Sequence, residues 1–573
     1  MREKYIDTLY KLYEYCTTFH TNKIHSRWAD QKEGGYTYGE FKYQCDFLSK
    51  KLTQYGIGAG DKVAILSQNM PNWTVALFSL VPFGRIAVPI LPGSSENEVT
   101  NILTHSDSKA LFISKRMLPK LNKNFYDSMV LIIDIETFEP IHKDDNAFTC
   151  DGRVQEPMPE DIATIIYTSG TTGNAKGVVL SHRNLTTCIM ASYDACKRNS
   201  KDIWLSILPM PHTYELTLGV LYPMFCGASV YYMSKPPAPS HLVKVMKELR
   251  PTTILTVPLI IEKIYKNSVL PTIKKSPTLS WMNKNMNWLL YKIIGAKLRS
   301  TFGGRVTFFG IGGAKLDPTV EAFLLKANFP YAIGYGLTET SPLLSHSSYR
   351  GRTPGSIGVP VKGTELKLDN VNPETGEGEI IARGNNVMLG YYKDPLRTKS
   401  VLSDDGWFRT NDLAVQDEKG RYFIKGRLSN MILGPSGENI YPEEIEKVIN
   451  DFEDISESLV VQRNGRLVAL VQLNENIIDW NQEAEDEILE KINSKKEAIL
   501  NYVNKHVSKF SKVNEVEVMK EPFEKTATQK IRRFKYTNDG APKNTEATNN
   551  KKDASNDLEQ VENPQTQKST KTK

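Results

Sequence analysis

At 573 residues, with 40% hydrophobic and 24% charged side chains, the chain has an ordinary globular composition and is too long for one hydrophobic core to organise. A formal net charge of +6 on 64.7 kDa is mild. It suits an anionic small molecule or a membrane surface, and no basic stripe with interleaved aromatics marks a nucleic-acid binder.

The start of the chain, Met1-Arg2-Glu3-Lys4, lacks the apolar run of a secretory signal. Six cysteines (Cys16, Cys45, Cys150, Cys188, Cys196 and Cys226) fall at no zinc-site spacing and read as reduced thiols. A cytoplasmic protein is expected, with peripheral membrane contact as an option. From Tyr36 to Ile113, helical and strand patterns alternate. Tyr38–Tyr55 has helical spacing, Lys62–Leu66 reads as a strand, Trp73–Phe83 as a helix, Ile86–Ile90 as a β-branched strand and Glu96–His105 as a helix. The most membrane-like stretch, Val75 to Leu91, contains Pro82, Arg85 and Pro89 and is short for a span. It reads as a buried helix, a turn at Phe83-Gly84 and a buried strand.

Similar units recur after Asp161: strands Ala163–Tyr167 and Gly177–Leu180 around a glycine-rich turn, a helix from Asn184, then strands Thr253–Val257 and Arg305–Ile311. Between Gly355 and Ile424, short strands such as Gly378–Ala382 and Tyr422–Ile424 among Gly, Pro and Asp turns predict a β-rich part. Beyond Arg427 the pattern gives helix Pro442–Asn450, strands Ser458–Val461 and Leu467–Leu473, and a long helix before Phe510. From about Thr537 aromatic residues are absent and Asn, Thr and Lys abound, which predicts a disordered tail over 537–573.

The sharpest chemical signal is Tyr167-Thr168-Ser169-Gly170-Thr171-Thr172-Gly173-Asn174-Ala175-Lys176-Gly177. Three glycines and four hydroxyl residues between two strands present many unblocked N–H and O–H donors, and Lys176 adds charge, as a polyphosphate requires. The Walker A pattern fails, because Ala175 stands where that pattern needs glycine. In Gly334-Tyr335-Gly336-Leu337-Thr338-Glu339-Thr340, glycines permit close backbone approach, Tyr335 offers a stacking face, Thr338 a hydroxyl and Glu339 a hard oxygen ligand. Alone, this segment reads better as a tight turn with a solvated glutamate. Likewise a lone Arg427 is more often a surface ion pair, and a lysine among Lys525, Arg532 and Arg533 is usually a solvated charge.

Taken together, these segments resemble the adenylate-forming superfamily, closest to long-chain fatty acid–CoA ligases. Trp407-Phe408-Arg409-Thr410-Asn411-Asp412-Leu413, Gly426-Arg427 followed by Gly437-Glu438-Asn439, and Lys525 to Arg533 complete the pattern in family order, over roughly residues 30 to 535. The resemblance implies an α/β fold. A large N-terminal adenylation domain (1–427) of stacked α/β layers with a β-barrel-like part would precede a small mobile C-terminal α/β domain (428–536). ATP, Mg²⁺ and coenzyme A are the implied cofactor and co-substrates.

Residue by residue, the resemblance places ATP on Thr168, Ser169, Gly170, Thr171, Thr172, Gly173 and Lys176, and on Gly334 and Gly336 of the second motif. It assigns adenine to Tyr335 and to the backbone patch Gly312-Gly313-Ala314. The α-phosphate falls to Thr338, Mg²⁺ to Glu339 and Thr168, and ribose to Asp412 and Arg427. Lys530 becomes the catalytic ammonium, Gly437, Glu438 and Asn439 line the CoA channel, and Ser429 is the hinge. Asn411 and Gln529 stand where glycine is usual, and Ser429 where aspartate or lysine is usual.

Leu208-Pro209-Met210-Pro211-His212-Thr213-Tyr214-Glu215 resembles the segment bordering the acyl pocket of long-chain enzymes, which adds His212 to the site. With no third ligand evident, a packed histidine is a better reading than a metal ligand. Leu289 to Leu298 interleaves apolar residues with lysines, as an interfacial helix would, although the pattern more often marks an ordinary amphipathic helix against the core. The implied activity is ATP-dependent formation of acyl-AMP followed by thioester formation with CoA. Transfer to a carrier-protein thiol and a non-catalytic nucleotide sensor are the rivals. Oligomeric state stays open, a homodimer being one option.

Overall fold

A computed structural model describes residues 6–126, 129–144, 153–169, 175–235, 238–347, 352–433, 439–475, 477–478, 480, 484–526 and 530–537. Cys150, most of the glycine-rich turn and the tail from residue 538 lie outside the described residues.

Two large mixed sheets dominate. The eight-stranded sheet runs, in spatial order, 390–391, 175–181, 162–169, 86–90, 62–66, 110–113, 131–134 and 140–143. The nine-stranded sheet runs 359–360, 343–346, 331–336, 308–311, 253–256, 203–206, 229–232, 24–28 and 35–37. Neighbouring strands from 162–169 to 131–134 in the first sheet, and from 331–336 to 24–28 in the second, are parallel, as βαβ crossovers demand.

Strand alternation sets the layering. Val63 and Ile65 enter the largest buried cluster, while their neighbours Ala64 and Leu66 enter another. The largest cluster lies between the two sheets: it joins Phe112 and Val178 of one sheet to Trp204 and Tyr232 of the other through Tyr13, Phe41 and Trp73 on helices Leu9–Phe19, Tyr38–Gln54 and Pro71–Phe78. Helix Glu96–Ser106 covers the outer face of the eight-stranded sheet, and helices Asn287–Thr301 and Pro318–Lys326 cover that of the nine-stranded sheet. Helices and sheets therefore alternate in five layers.

Thr37 with Glu40, Ser95 with Glu98 and Ser181 with Asn184 form reciprocal caps at three helix starts. The Val75–Leu91 stretch is a helix, a turn and a strand. Its helix stops at Phe78, short of the expected Phe83, and a separate turn spans Val81–Phe83 before Gly84 adopts φ +79°. Among the described residues, no helix is long and apolar enough to cross a membrane. The five described cysteines are free.

The β-rich part is a four-stranded antiparallel sheet in the order 364–369, 378–384, 408–416 and 422–427, with no closing pair among the described residues. Beyond it, strands 455–463, 466–473 and 515–518 form a sheet with its own core, packed by helices Pro442–Asn450 and Glu485–His506.

Arg85 is fully buried and forms no ion pair with a carboxylate among the described residues. Its guanidinium donates to Ile57 O, Ser79 O, Ser49 O and the hydroxyls of Ser49 and Thr53. Burial lowers its pKa to about 10, so it remains charged at neutral pH. Several acceptors from two helices thus share one planar donor group. Arg85→Ala leaves them unpaired around a cavity, and a loss on the order of 3 kcal/mol or more is expected in urea denaturation.

Candidate active site

The site forms where the nine-stranded sheet, the eight-stranded sheet and the four-stranded sheet meet. Strand Tyr331–Gly336 leads directly into the turn Thr338–Thr340. Gly336 is required there, because a Cβ would stand 1.7 Å from the Pro342 carbonyl oxygen.

Glu339 is 6% exposed, and its Oε1 accepts from Lys176 Nζ at 2.6 Å and from the Tyr391 hydroxyl at 2.9 Å. Lys176 Nζ also lies 2.8 Å from the Tyr391 hydroxyl and 4.6 Å from the centre of its ring. Burial raises the Glu339 pKa, but the Lys176 charge and the hydrogen bonds more than reverse this, leaving the carboxyl anionic and below its usual value. Tyr391 was not singled out in the sequence. Its strand Gly390–Tyr391 pairs antiparallel with Ala175–Ser181, and only that pairing brings it to Glu339.

Opposite Lys176, across the antiparallel pair, stands Thr168. Its hydroxyl oxygen is buried without a hydrogen-bond partner among the described residues. An unpaired buried hydroxyl and an anionic carboxylate are hard oxygen donors that suit Mg²⁺ held with a polyphosphate. Ser169 pairs with Ala175 through its backbone. Gly170, Thr171, Thr172 and Gly173 lie outside the described residues, as do Gly437, Glu438 and Gln529.

Asp412 is 5% exposed; it accepts from the Tyr335 hydroxyl and from Arg427 Nε, each at 2.8 Å. Asp412 and Arg427 are direct partners in the antiparallel pairing of strands Phe408–Gln416 and Tyr422–Arg427. The Asp412 charge raises the Arg427 pKa, while burial and then Asp412 push the Tyr335 hydroxyl up. Asn411, in place of the usual glycine, has φ +62°, and its N–H donates to Glu379 Oε1 at 3.0 Å. Asparagine is among the few side chains that tolerate this left-handed conformation, so the departure from the family pattern preserves the backbone path.

Gly312, Gly313 and Ala314 follow strand Phe308–Ile311, whose neighbour is Tyr331–Gly336; Gly313 takes φ +84°, and a Cβ on Gly312 would stand 3.3 Å from Gly334 O. Thr338 opens the turn that carries Glu339. Lys530 arrives from the far end of the chain, in a turn where Thr526 N–H donates to Lys530 O at 2.8 Å. Its side chain keeps access to solvent, yet crowding by protein and then Arg427 lower its pKa, while Asp412 and Glu339 oppose that. Lys530 thus lies within electrostatic range of Arg427, Asp412 and Glu339.

His212 feels Lys530 as well. Burial and then that ammonium lower its pKa to about 4, and Nδ1 accepts from Tyr214 N–H at 3.3 Å to cap the helix Thr213–Glu215. It is a neutral helix-capping histidine. No group of three or more His, Cys, Asp or Glu among the described residues could hold a metal. Asn439 is exposed in a short strand paired with Leu433, and Ser429 is exposed just after the strand that ends at Arg427.

The family model described as AMP-binding enzyme matches residues 16–392. The chain belongs to the AMP-binding enzyme family. Over 489 residues it is 30% identical to the Arabidopsis thaliana protein named long chain acyl-CoA synthetase 6, peroxisomal, covering 77% of this chain and 69% of the relative. It is 28% identical to a chloroplastic long-chain-fatty-acid–[acyl-carrier-protein] ligase from the same plant, covering 76% and 72%. The fold matches the Bacillus subtilis o-succinylbenzoate CoA synthetase solved with its acyl-adenylate, with a TM-score of 0.71 at 22% identity over 92% of this chain and 98% of that one.

Within this AMP-binding enzyme, Glu215 offers a clean pH test. It is 1% exposed; Oε1 accepts from the Ser206 hydroxyl at 2.6 Å and Oε2 has no partner among the described residues. Burial raises its pKa to about 8, against the partial opposition of Ser206. A raised folded-state pKa means that the stabilisation is complete below the ordinary glutamate range and lost as pH climbs towards 8. Glu215→Gln mimics the protonated form. Between pH 5 and pH 8 the variant is expected to gain on wild type by on the order of 3 kcal/mol, read from melting curves at each pH; parallel curves would show that Glu215 does not titrate there.

Proposed function

We propose that this enzyme is an AMP-forming long-chain fatty acid–CoA ligase. The observation that favours the reading is that Glu339 is joined to Lys176, and Asp412 to Tyr335 and Arg427, with Lys530 within electrostatic range of Glu339, Asp412 and Arg427, so that residues of five separated motifs lie near one another. The long-chain acid is supported by the relatives' names, and CoA is favoured over a carrier protein on the same ground.

The roles follow from the geometry. The Tyr335 face receives adenine, and the Asp412 carboxylate exchanges its present Tyr335 and Arg427 partners for ribose hydroxyls. Thr168, Lys176 and Thr338 hold phosphate oxygens. Mg²⁺ bound at Glu339 and Thr168 would neutralise phosphate charge and polarise the phosphorus. Attack of the fatty carboxylate on the α-phosphorus forms acyl-AMP, breaks the bond to the β-phosphate and releases pyrophosphate. Lys530 offsets the negative charge that grows on the oxygens in that step. The CoA thiolate then attacks the acyl carbonyl and AMP leaves.

The segment 428–536, with its own core, is read as the mobile domain, pivoting at Ser429. Arg532 donates to Glu98 at 2.7 Å and Lys266 to Asn450 O at 2.9 Å, contacts that support the orientation with Lys530 in the site. Among the described residues, the five free cysteines fit a reducing compartment such as the cytoplasm.

Lys530→Ala is expected to lower acyl-AMP formation on the order of a hundredfold or more. Thioester formation from acyl-AMP supplied ready-made should be largely spared, because that step uses the other orientation. Equal losses in the two half-reactions would assign Lys530 a structural role. Glu339→Gln should also lose most pyrophosphate release, with the deficit deepening at limiting Mg²⁺; an unchanged Mg²⁺ dependence would remove Glu339 from the metal site. Product analysis with free CoA against a carrier protein separates the two acceptors.

A further inference from the structure

Charge is distributed very unevenly along this chain. From Lys263 to Leu316 there are ten lysines and arginines and not one aspartate or glutamate. Taking those ten from the chain total of +6 leaves −4 for the other 519 residues. The segment folds largely into the consecutive helices Leu270–Lys275, Pro277–Asn285 and Asn287–Thr301, each packed against the next.

These helices bury little. Pro277–Asn285 has no buried residue, and Asn287–Thr301 buries only Leu290, Gly295 and Leu298. Gly295 seats the last helix closely, since a Cβ there would stand 2.2 Å from Ala327 O. Facing solvent are Trp281 at 57% exposure, Trp288 at 63% and Ile293 at 49%. Lys274, Lys275, Lys284, Lys292 and Lys297 are exposed and pair with no carboxylate among the described residues. A nine-residue helix with nothing buried has no source of stability in the fold beyond its neighbours. Tryptophans are rarely left so open unless something apolar covers them.

We propose that this helical face docks on an anionic lipid bilayer. Tryptophan suits the headgroup boundary, where its ring is apolar and its N–H stays wet, and lysines reach the phosphates from long apolar stems. A long run of positive charge without acidic residues complements an anionic surface and repels a second copy of the same face. The proposal deepens the ligase reading, because a long-chain acid resides in bilayers, but lipid binding needs no turnover and is measured without ATP, CoA or acid.

The test is co-sedimentation of the full chain with vesicles of phosphatidylcholine alone or with one-third phosphatidylglycerol, at low and high salt. Binding is expected only to the anionic vesicles and should weaken as salt rises. Each lysine at such a surface contributes about fivefold in partition, so Lys274→Gln, Lys275→Gln, Lys284→Gln and Lys292→Gln together should lower binding by roughly several hundredfold. Trp281→Ser with Trp288→Ser, which leaves all the charges, should lower it roughly tenfold and abolish the blue shift of tryptophan emission on vesicle addition. Circular dichroism of each variant checks folding, and the untouched protein's salt and lipid dependence tests the idea by itself. Equal binding to both vesicle types, or full binding by both variants, overturns the proposal. So does a lipid-free dimer that dissociates in the tryptophan variant, or retention of an oligonucleotide by a protein that ignores anionic vesicles.

Discussion

The site depends on one buried carboxylate. Glu339 follows the last parallel strand of the nine-stranded sheet, while Lys176 and Tyr391 stand on adjacent strands of the eight-stranded sheet. Their contact is a pin between the two halves of the layered structure. An unpaired carboxylate at 6% exposure would be neutralised or would destabilise the fold, so the sheets are held in the register that supplies its partners. Neutral hydrogen bonds reinforce the seam. Asn386 donates to Leu343 O, Asn184 to Asn385 O and Val387 O, and Met388 N–H to Glu339 O. Because those donors are fixed in the fold, the phosphate-facing groups are arranged before a ligand arrives, which is what electrostatic preorganisation requires.

The contacts of the C-terminal segment are of another kind. Arg532 with Glu98, Lys266 with Asn450 and Asp451, and Tyr441 with Glu377 are partly exposed polar contacts without a shared apolar core. Such ion pairs contribute about 0 to 1 kcal/mol each. The clusters around helices Pro442–Asn450 and Glu485–His506 are, by contrast, closed on themselves. A body with its own core and weak polar contacts to its neighbour can be released and re-docked at small cost, and this is the energetic condition for the proposed change of orientation at Ser429.

Much of this was legible in the sequence where physics is local. Strands Lys62–Leu66 and Ile86–Ile90 and helix Pro442–Asn450 fall where their patterns place them, because a continuous apolar run or a proline at the first turn is a short-range signal. Helix Leu9–Phe19 and strand Ile24–Trp28 escaped, since their burial comes from distant Phe225 and Val230. Tyr391 escaped for the same reason: nothing near Gly390 in the chain marks it as a partner of residues 176 and 339. Asp412 and Arg427 were legible as types, but their direct pairing is a property of strand register. Asn411 shows the converse, a departure from the usual glycine that still adopts the left-handed backbone conformation at that position.

The same accounting explains why the site is poised for anions. Its fixed charges are Lys176, Arg427 and Lys530 against Glu339 and Asp412, and each carboxylate is already engaged, one by Lys176 and the other by Arg427. Lys530 forms no ion pair among the described residues, and its pKa is lowered by crowding and then by Arg427, against the partial opposition of Asp412 and Glu339. A triphosphate would reverse this balance: its negative charge would favour the ammonium and hold Lys530 in place. Release of pyrophosphate would withdraw most of that attraction while leaving Arg427 to oppose the lysine. On the proposed reading, the electrostatics that would draw the closing motif into the site before the first chemical step would weaken once that step is complete, and the charge of the leaving group would couple chemistry to the departure of Lys530.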